Sequence, residues 1–446
     1  MKTKIKKVLI LAGDVLVLYL SLLLTLIARY GTDFYGKFID QHFSPFTIIF
    51  VIWLWVFYIS GLYDSKRLRN NIDFLKTLWL AIAVSAVLAM LFFYLIPYFG
   101  ITPKTNLFVF LVIFATLEII WRRFFNRATA SSRAKTKIAL VGSSRATEEI
   151  SSFVKENPQL GYELTVWLKN KEDFSSFKKI GDWEKLANKN GVDLIVIPRY
   201  FKSEKEMAKI FYKLLTLDIE IMDLPVFYET IFQKIPLGDV NEEWFLNEIV
   251  EKEKFYDNLK KGVEFVLAFA LGITLLPLEI LIAFLVKLSS RGPIIYKQTR
   301  VGKNGREFVI YKFRTMRADA EKNGPQWAET GDKRITLIGK FLRYSHLDEL
   351  PQLLNIVKGE LSFVGPRPER PEFVKILREK IPYYDVRHII KPGVTGWAQI
   401  NYRYGASVED AARKLEYDIC YIKNRSLLLD IAVILKTFKS FFISIK

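Results

Sequence analysis

Val263-Glu264-Phe265-Val266-Leu267-Ala268-Phe269-Ala270-Leu271-Gly272-Ile273-Thr274-Leu275-Leu276-Pro277-Leu278-Glu279-Ile280-Leu281-Ile282-Ala283-Phe284-Leu285-Val286 is the stretch whose reading decides the fold. It exceeds the roughly 20 apolar residues that cross a bilayer. Both flanks are basic: Lys252, Lys254, Lys260 and Lys261 precede it, and Lys287, Arg291, Lys297 and Arg300 follow. A through-span would carry a strongly basic segment outward, against the charge rule for membrane proteins. A segment kinked at Pro277 that enters and leaves by one face satisfies both the charge and the proline. Glu279 suits a shallow re-entrant turn better than a bilayer centre. The through-span stays open as the alternative.

Upstream lie four further apolar blocks, at residues 8–28, 46–62, 75–96 and 107–121. Basic residues flank them alternately. Lys2, Lys4, Lys6 and Lys7 come first, then Lys66, Arg67 and Arg69, then Arg122, Arg123, Arg127, Arg133, Lys135 and Lys137. This pattern places the N-terminus and everything after Arg122 in the cytoplasm. The first block is too long for a signal-peptide core and has no small-residue cleavage site. Asp14 and Glu118 lie inside blocks, where acids are functional suspects. Their place near the cytoplasmic ends also allows a structural pairing with Arg122.

Composition agrees. The chain of 446 residues is 51% hydrophobic yet carries a net charge of +18. Clustering of the apolar residues selects a membrane partner over a nucleic acid. One cysteine, Cys420, and three histidines exclude an intramolecular disulfide and a Cys/His zinc site. Any metal must be a hard cation held by carboxylates and phosphates, such as magnesium.

From Lys137 the pattern becomes α/β. Strands are expected at residues 137–141, 163–168, 194–198 and 220–224. Helices are expected from the first turn to about Glu156, at 183–190 and at 205–217. This predicts a small parallel, Rossmann-like domain. Its first turn, Gly142-Ser143-Ser144-Arg145-Ala146-Thr147, has one glycine where a dinucleotide fingerprint needs three, so no cofactor is expected there.

The final segment carries the chemistry. Its centre is Leu342-Arg343-Tyr344-Ser345-His346-Leu347-Asp348-Glu349-Leu350-Pro351-Gln352-Leu353-Leu354-Asn355. Leu350, Leu353, Leu354 and Val357 recur at helical spacing, and Pro351 suits a first turn. The carboxylate pair then sits at a helix start, where Asp348 serves either as a cap or as an ionised nucleophile toward an anion. Around it stand Lys312-Phe313-Arg314-Thr315-Met316, Val364-Gly365-Pro366-Arg367-Pro368-Glu369, the run from Lys391 to Asn401, and Tyr417-Asp418. Arg367, fixed between prolines, suits either a phosphate or an anionic lipid headgroup. Residues 431–445 look like an in-plane anchor.

These motifs resemble those of the bacterial monotopic polyprenyl-phosphate phosphoglycosyltransferases, in their long form. The resemblance spans the chain and is most specific from about Val263 onward. It implies three regions: four transmembrane helices over residues 1–125, a Rossmann-like cytoplasmic domain without a cofactor fingerprint over 135–245, and a mostly α catalytic domain with a re-entrant helix over 255–446. It implies transfer of a sugar-1-phosphate from a UDP-sugar to a polyprenyl phosphate with release of UMP, as the first membrane step of extracellular polysaccharide synthesis. Asp348 would be the nucleophile, forming a covalent phosphosugar intermediate, and Glu349 would assist. Both would hold Mg2+. Arg343, Arg367, Arg403, Asp418, Lys312 and Arg314 would bind substrate or its phosphates. The protein would sit in the inner membrane as a multi-pass protein, catalytic domain on the cytoplasmic face, with homo-oligomerisation left open. Two departures are visible. Leu276 stands where many members have a serine before the re-entrant proline. Tyr402-Arg403-Tyr404 replaces a Gly-Arg-Asn found in short forms, which weakens the transfer of a role to Arg403.

Two other readings compete. A membrane-anchored nucleotide-sugar dehydratase or epimerase would need a glycine fingerprint and a Tyr-x-x-x-Lys pair, of which only Tyr256…Lys260 exists. A non-catalytic scaffold or sensor of polysaccharide assembly would use the dyad as a cap.

Overall fold

The computed structural model describes residues 2–63, 72–95, 104–130, 135–169, 180–199, 212, 214, 219–249, 254–289, 291–317, 334–402, 405 and 407–443. The chain divides into two compact units, Met1–Asp223 and Leu224–Lys446.

The first unit opens with four long helices: α1 (Lys2–Tyr30), α2 (Phe43–Ser60), α3 (Ile72–Leu95) and α4 (Lys104–Ala130). All four contribute to one apolar core, with Leu18, Leu22, Phe46, Trp53, Leu78, Phe93, Phe110 and Phe114 at its centre. Gly13 on α1 is required by close approach, since a Cβ there would lie 2.0 Å from the Trp121 ring. Beside it Asp14 and Glu118 converge on Arg122. Arg122 Nε donates to Glu118 Oε1 at 2.7 Å, Nη1 to the Leu62 carbonyl at 2.8 Å, and Nη2 to Asp14 Oδ2. All three side chains are fully buried.

Three stretches of the described chain are long and apolar enough to cross a membrane: Val8–Ser60, Phe74–Tyr94 and Tyr256–Ser289. The first merges two of the expected blocks, because short helical turns bridge α1 to α2. The block at 107–121 lies on α4, where Glu118, Arg122 and Arg123 interrupt the apolar run. The protein is thus a membrane protein with an α/β region.

That region is a four-stranded parallel sheet of β1 (Thr136–Val141), β2 (Tyr162–Leu168), β3 (Leu194–Ile197) and β4 (Glu220–Asp223) in the order β2-β1-β3-β4. Helices α5 (Arg145–Glu156) and α6 (Ile180–Asn190) lie between strands. Residues 138–141 of β1 and all of β3 are continuous buried apolar runs, as a sheet buried on both faces requires. The helix expected at 205–217 falls almost wholly outside the described residues. At the first turn Gly142 has φ +98°, and a Cβ there would lie 3.0 Å from Pro198. Helix α5 starts with a reciprocal Ser144/Thr147 capping box, which occupies an N–H that a phosphate would otherwise use.

The second unit is mainly helical. It begins with α7 (Leu224–Phe232) and α8 (Glu242–Ile249). Ile235, Leu237, Trp244, Phe245 and Ile249 join the core built by Val364, Tyr384, Trp397, Ile419 and Tyr421. Residues 235–249 therefore pack within this unit. Next comes α9 (Lys254–Ser289), which stays α-helical through Pro277. Phe265, Phe269, Ile273, Ile280 and Phe284 are exposed on it. The hairpin β5 (Ile295–Val301) and β6 (Glu307–Phe313) follows, turning through Asn304 at φ +56°. Then come α10 (Leu337–Ser345), a 3-10 turn (Leu347–Gln352), α11 (Leu353–Val357) and β7 (Ser362–Val364). After α12 (Pro371–Lys380) and a 3-10 turn at Tyr384–His388, β8 (Gly393–Thr395) pairs in parallel with β7. Helices α13 (Trp397–Asn401), α14 (Val408–Asn424) and α15 (Leu427–Ile443) close the unit.

Candidate active site

The carboxylate pair lies within the 3-10 turn rather than at the start of an α-helix as the apolar spacing predicts. His346, at φ +52°, ends α10 in a left-handed conformation and redirects the chain. The 3-10 turn from Leu347 then carries Asp348 and Glu349, and Pro351 stays inside it. No side chain caps this turn, so Asp348 is not spent as a helix cap.

Glu349 Oε1 accepts from Lys312 Nζ at 2.6 Å and from Arg367 Nη2 at 2.8 Å. Burial alone would raise its pKa, but these two cations hold it far below the ordinary carboxylate range. Burial lowers the Lys312 pKa against the pull of Glu349. Asp348 is treated differently. It is 7% exposed and accepts no side-chain hydrogen bond among the described residues. Burial, and then the charge of Glu349, push its pKa up to about 6, against Lys312, Arg343 and Arg367. One carboxylate is neutralised and the other is kept desolvated.

The surrounding elements are tied tightly. A Cβ on Gly339 would lie 2.0 Å from the Thr315 carbonyl oxygen, so α10 rests directly on the chain leaving β6. From there Arg343 Nε donates to Thr315 Oγ1 at 2.8 Å. Arg314 is buried just past β6, its N–H donating to the Ile294 carbonyl at 2.9 Å.

Arg367 is delivered by an arm whose backbone is held at successive residues. The Pro366 carbonyl accepts from Gly393 N at 2.9 Å, that of Arg367 from Arg387 Nη2 at 2.9 Å, and that of Pro368 from Arg300 Nη1 at 3.2 Å. A Cβ on Gly365 would lie 2.6 Å from the Lys391 oxygen. One on Gly393 would lie 2.1 Å from Gly365 N, and one on Gly396 2.2 Å from Gly365 O. Three glycines let backbone lie on backbone beneath the arginine.

Asp418 is 2% exposed and 3.0 Å from Arg387, below the arm rather than beside the dyad. Burial lifts its pKa to about 6, with Arg387 opposing. Arg403 lies outside the described residues. The structure thus gathers Asp348, Glu349, Lys312, Arg343 and Arg367, while Asp418 reaches Arg367 only through Arg387. Sequence reasoning passed over Arg387, which carries no local pattern, and quoted Thr315 within its motif without giving it a role; the fold brings both to the site.

Cations gathered against a buried carboxylate pair, in a unit that carries a long exposed apolar helix, are what a membrane-associated enzyme acting on anionic groups needs. Residues 255–444 match the family model described as bacterial sugar transferase, and residues 58–225 match one described as a CoA-binding domain. The chain is similar to the UDP-glucose:undecaprenyl-phosphate glucose-1-phosphate transferase of Xanthomonas campestris pv. campestris, 30% identical over 342 residues, covering 73% of this chain and 71% of the relative. It is 29% identical over 461 residues to the protein of the same description from Klebsiella pneumoniae, covering 96% and 94%. The UDP-N-acetylgalactosamine-undecaprenyl-phosphate N-acetylgalactosaminephosphotransferase of Aeromonas hydrophila is 45% identical over 186 residues, covering 42% of this chain and 44% of that one. The chain belongs to the bacterial sugar transferase family.

Proposed function

We propose that the protein transfers a sugar-1-phosphate from a UDP-sugar to a polyprenyl phosphate, undecaprenyl phosphate in its relatives, and releases UMP. The observation that carries this reading is the asymmetry of the dyad: Glu349 gathers Lys312 and Arg367, while Asp348 beside it accepts no side-chain hydrogen bond among the described residues. An Asp348 oxygen attacks the sugar-bearing phosphorus of the donor. A carboxylate–phosphorus bond forms, the phosphorus–oxygen bond to UMP breaks, and its electron pair leaves with UMP. A phosphate oxygen of the lipid then attacks the same phosphorus and Asp348 departs as carboxylate. Two displacements replace one encounter of three bodies at the membrane surface. Lys312, Arg343 and Arg367 offset the charge of anion attacking anion.

Magnesium suits these residues. Among the described residues there is no group of three or more His, Cys, Asp or Glu ligands. Magnesium often needs only one or two carboxylates beside substrate phosphates and water. Since Lys312 and Arg367 take Glu349 Oε1, Asp348 and the other Glu349 oxygen would hold it. Bound there it would neutralise diphosphate charge.

The catalytic unit belongs, on this reading, on the cytoplasmic face of the inner membrane, behind a bundle of four spanning helices, with α9 dipping into one leaflet. Support comes from where α9 packs. Ala268 meets Phe308, Ile310 and Leu361, and Ile282 and Val286 meet Phe313 and Leu342. Both contacts, about 27 Å apart along a helix, are with one unit, which favours a helix that returns to the face it entered over one that leaves by the far face. The only native cysteine, Cys420, is buried, so cysteines introduced between Lys287 and Arg300 report cleanly; labelling from the outer face alone would defeat the re-entrant reading.

The central test is UMP release from UDP-glucose and UDP-N-acetylgalactosamine with undecaprenyl phosphate. Asp348→Asn is expected to lose on the order of 10³-fold or more, and wild type to gain one phosphosugar on the Asp348 peptide. Undiminished UMP release by Asp348→Asn overturns the mechanism.

A further inference from the structure

Helix α9 grips the strand that leads to Arg367. Lys260 Nζ donates to the Val364 carbonyl at 2.8 Å and to Tyr421 Oη at 2.9 Å, and pairs with Asp430 Oδ2 at 2.9 Å. Three acceptors use all three ammonium protons. Asp430 is fixed in turn: Tyr421 donates to Oδ1 at 2.6 Å and Tyr256 to Oδ2 at 2.7 Å. One turn further along α9, Glu264 Oε1 accepts from Phe363 N at 3.0 Å and Ser362 Oγ at 2.6 Å. Strand β7 therefore has β8 along one edge and, along the other, two side chains of the membrane helix that supply a donor and an acceptor as a neighbouring strand would. Three residues after Val364 comes Arg367, with its guanidinium on Glu349.

We propose that Lys260, with Glu264, is a positioning residue for the transfer reaction: it locks the membrane helix to β7 and so fixes where the Arg367 guanidinium stands. The Tyr256…Lys260 pair, which by spacing alone could serve proton transfer, is used for this lock. Its geometry explains why a charged network of Lys260, Glu264 and Asp430 is buried in a unit whose chemistry lies elsewhere. A lysine held only for solubility or for lipid headgroups would face outward; the Lys260 side chain is 12% exposed. The arm beyond Gly365 is held by Gly393, Arg387 and Arg300; the lock adds the hold on the outer edge of β7, the three-residue strand from which that arm starts.

The inference rests on reading Arg367 as a phosphate-binding group, and a double-mutant cycle tests both separately. The assay is UMP release by the full chain in lipid nanodiscs, using whichever UDP-sugar wild type turns over fastest. Lys260→Met is expected to lower kcat by about 10-fold or more, with Lys260→Arg recovering most of it, because an arginine still reaches the Val364 carbonyl. Arg367→Lys is expected to cost about 100-fold. The combination should be within about threefold of Arg367→Lys alone, since residues acting through one another are not additive. If Lys260→Met does not accumulate, Tyr421→Phe, which removes one contact of the lock, takes its place with the same non-additivity. Losses that multiply, or full activity in both lock variants, overturn the positioning role and leave Arg367 standing. Full activity in Arg367→Lys overturns both.

Discussion

Two buried charge clusters sit in the two units, and their stoichiometries are opposite. In the first unit two carboxylates, Asp14 and Glu118, share one guanidinium, with every side chain sealed. In the second, two cations, Lys312 and Arg367, share one carboxylate, and a second carboxylate beside it makes no ion pair among the described residues. The first arrangement consumes its donors on α1, α4 and the Leu62 carbonyl, and that is a brace. The second places a buried carboxylate beside cationic charge, which on the proposed function is a reagent.

The contrast can be broken most forcefully at the brace. Arg122→Leu leaves two buried acids without their cation and should cost about 3–5 kcal/mol. The expected result is a sharply lowered thermal midpoint in detergent, with UMP release per folded molecule largely kept; an unmoved midpoint would deny the brace. Next comes Glu349→Gln, which leaves Lys312 and Arg367 facing a neutral group and should cost roughly 2–3 kcal/mol, together with most of the activity, as read by unfolding in parallel with UMP release. An active, fully stable Gln variant would remove Glu349 from its organising place.

The smallest effect has the opposite sign. Asp348 is raised to about 6 in the fold, above the roughly 3.9 of an unfolded aspartate. Between these values the folded state binds the extra proton, so its stability falls as pH rises from about 4 to about 6 and stays reduced above that. Asp348→Asn should therefore raise stability by roughly 2 kcal/mol at pH 7 while abolishing transfer, measured with a chelator present. If Asn lowers the midpoint, Asp348 is serving the fold after all.

Much of this was legible in the chain. The four parallel strands were visible as apolar, β-branched runs, and their bounds fall within a residue or so of those expected. The dyad and its basic companions were visible as clustered residue types. Local pattern could not show the 3-10 turn, because Leu350, Leu353, Leu354 and Val357 fit a helix and the left-handed His346 that redirects the chain carries no glycine. Nor could it show partnerships that the fold makes across distance: Asp418 with Arg387, or Lys260 with Val364, which lie 104 residues apart. The proline of α9 signalled a break, yet the helix continues through it, since one lost hydrogen bond is tolerable where the neighbouring turns persist.

The glycines beneath Arg367 have a consequence for how such a protein can diversify. At Gly365, Gly393 and Gly396 any side chain would strike main chain, which cannot swing aside. Mutational drift is closed at these three positions whatever sugar is handled. A lineage that changes donor must alter the rim of the site and leave its floor untouched, so comparison of close relatives should find substrate-linked variation only outside this patch.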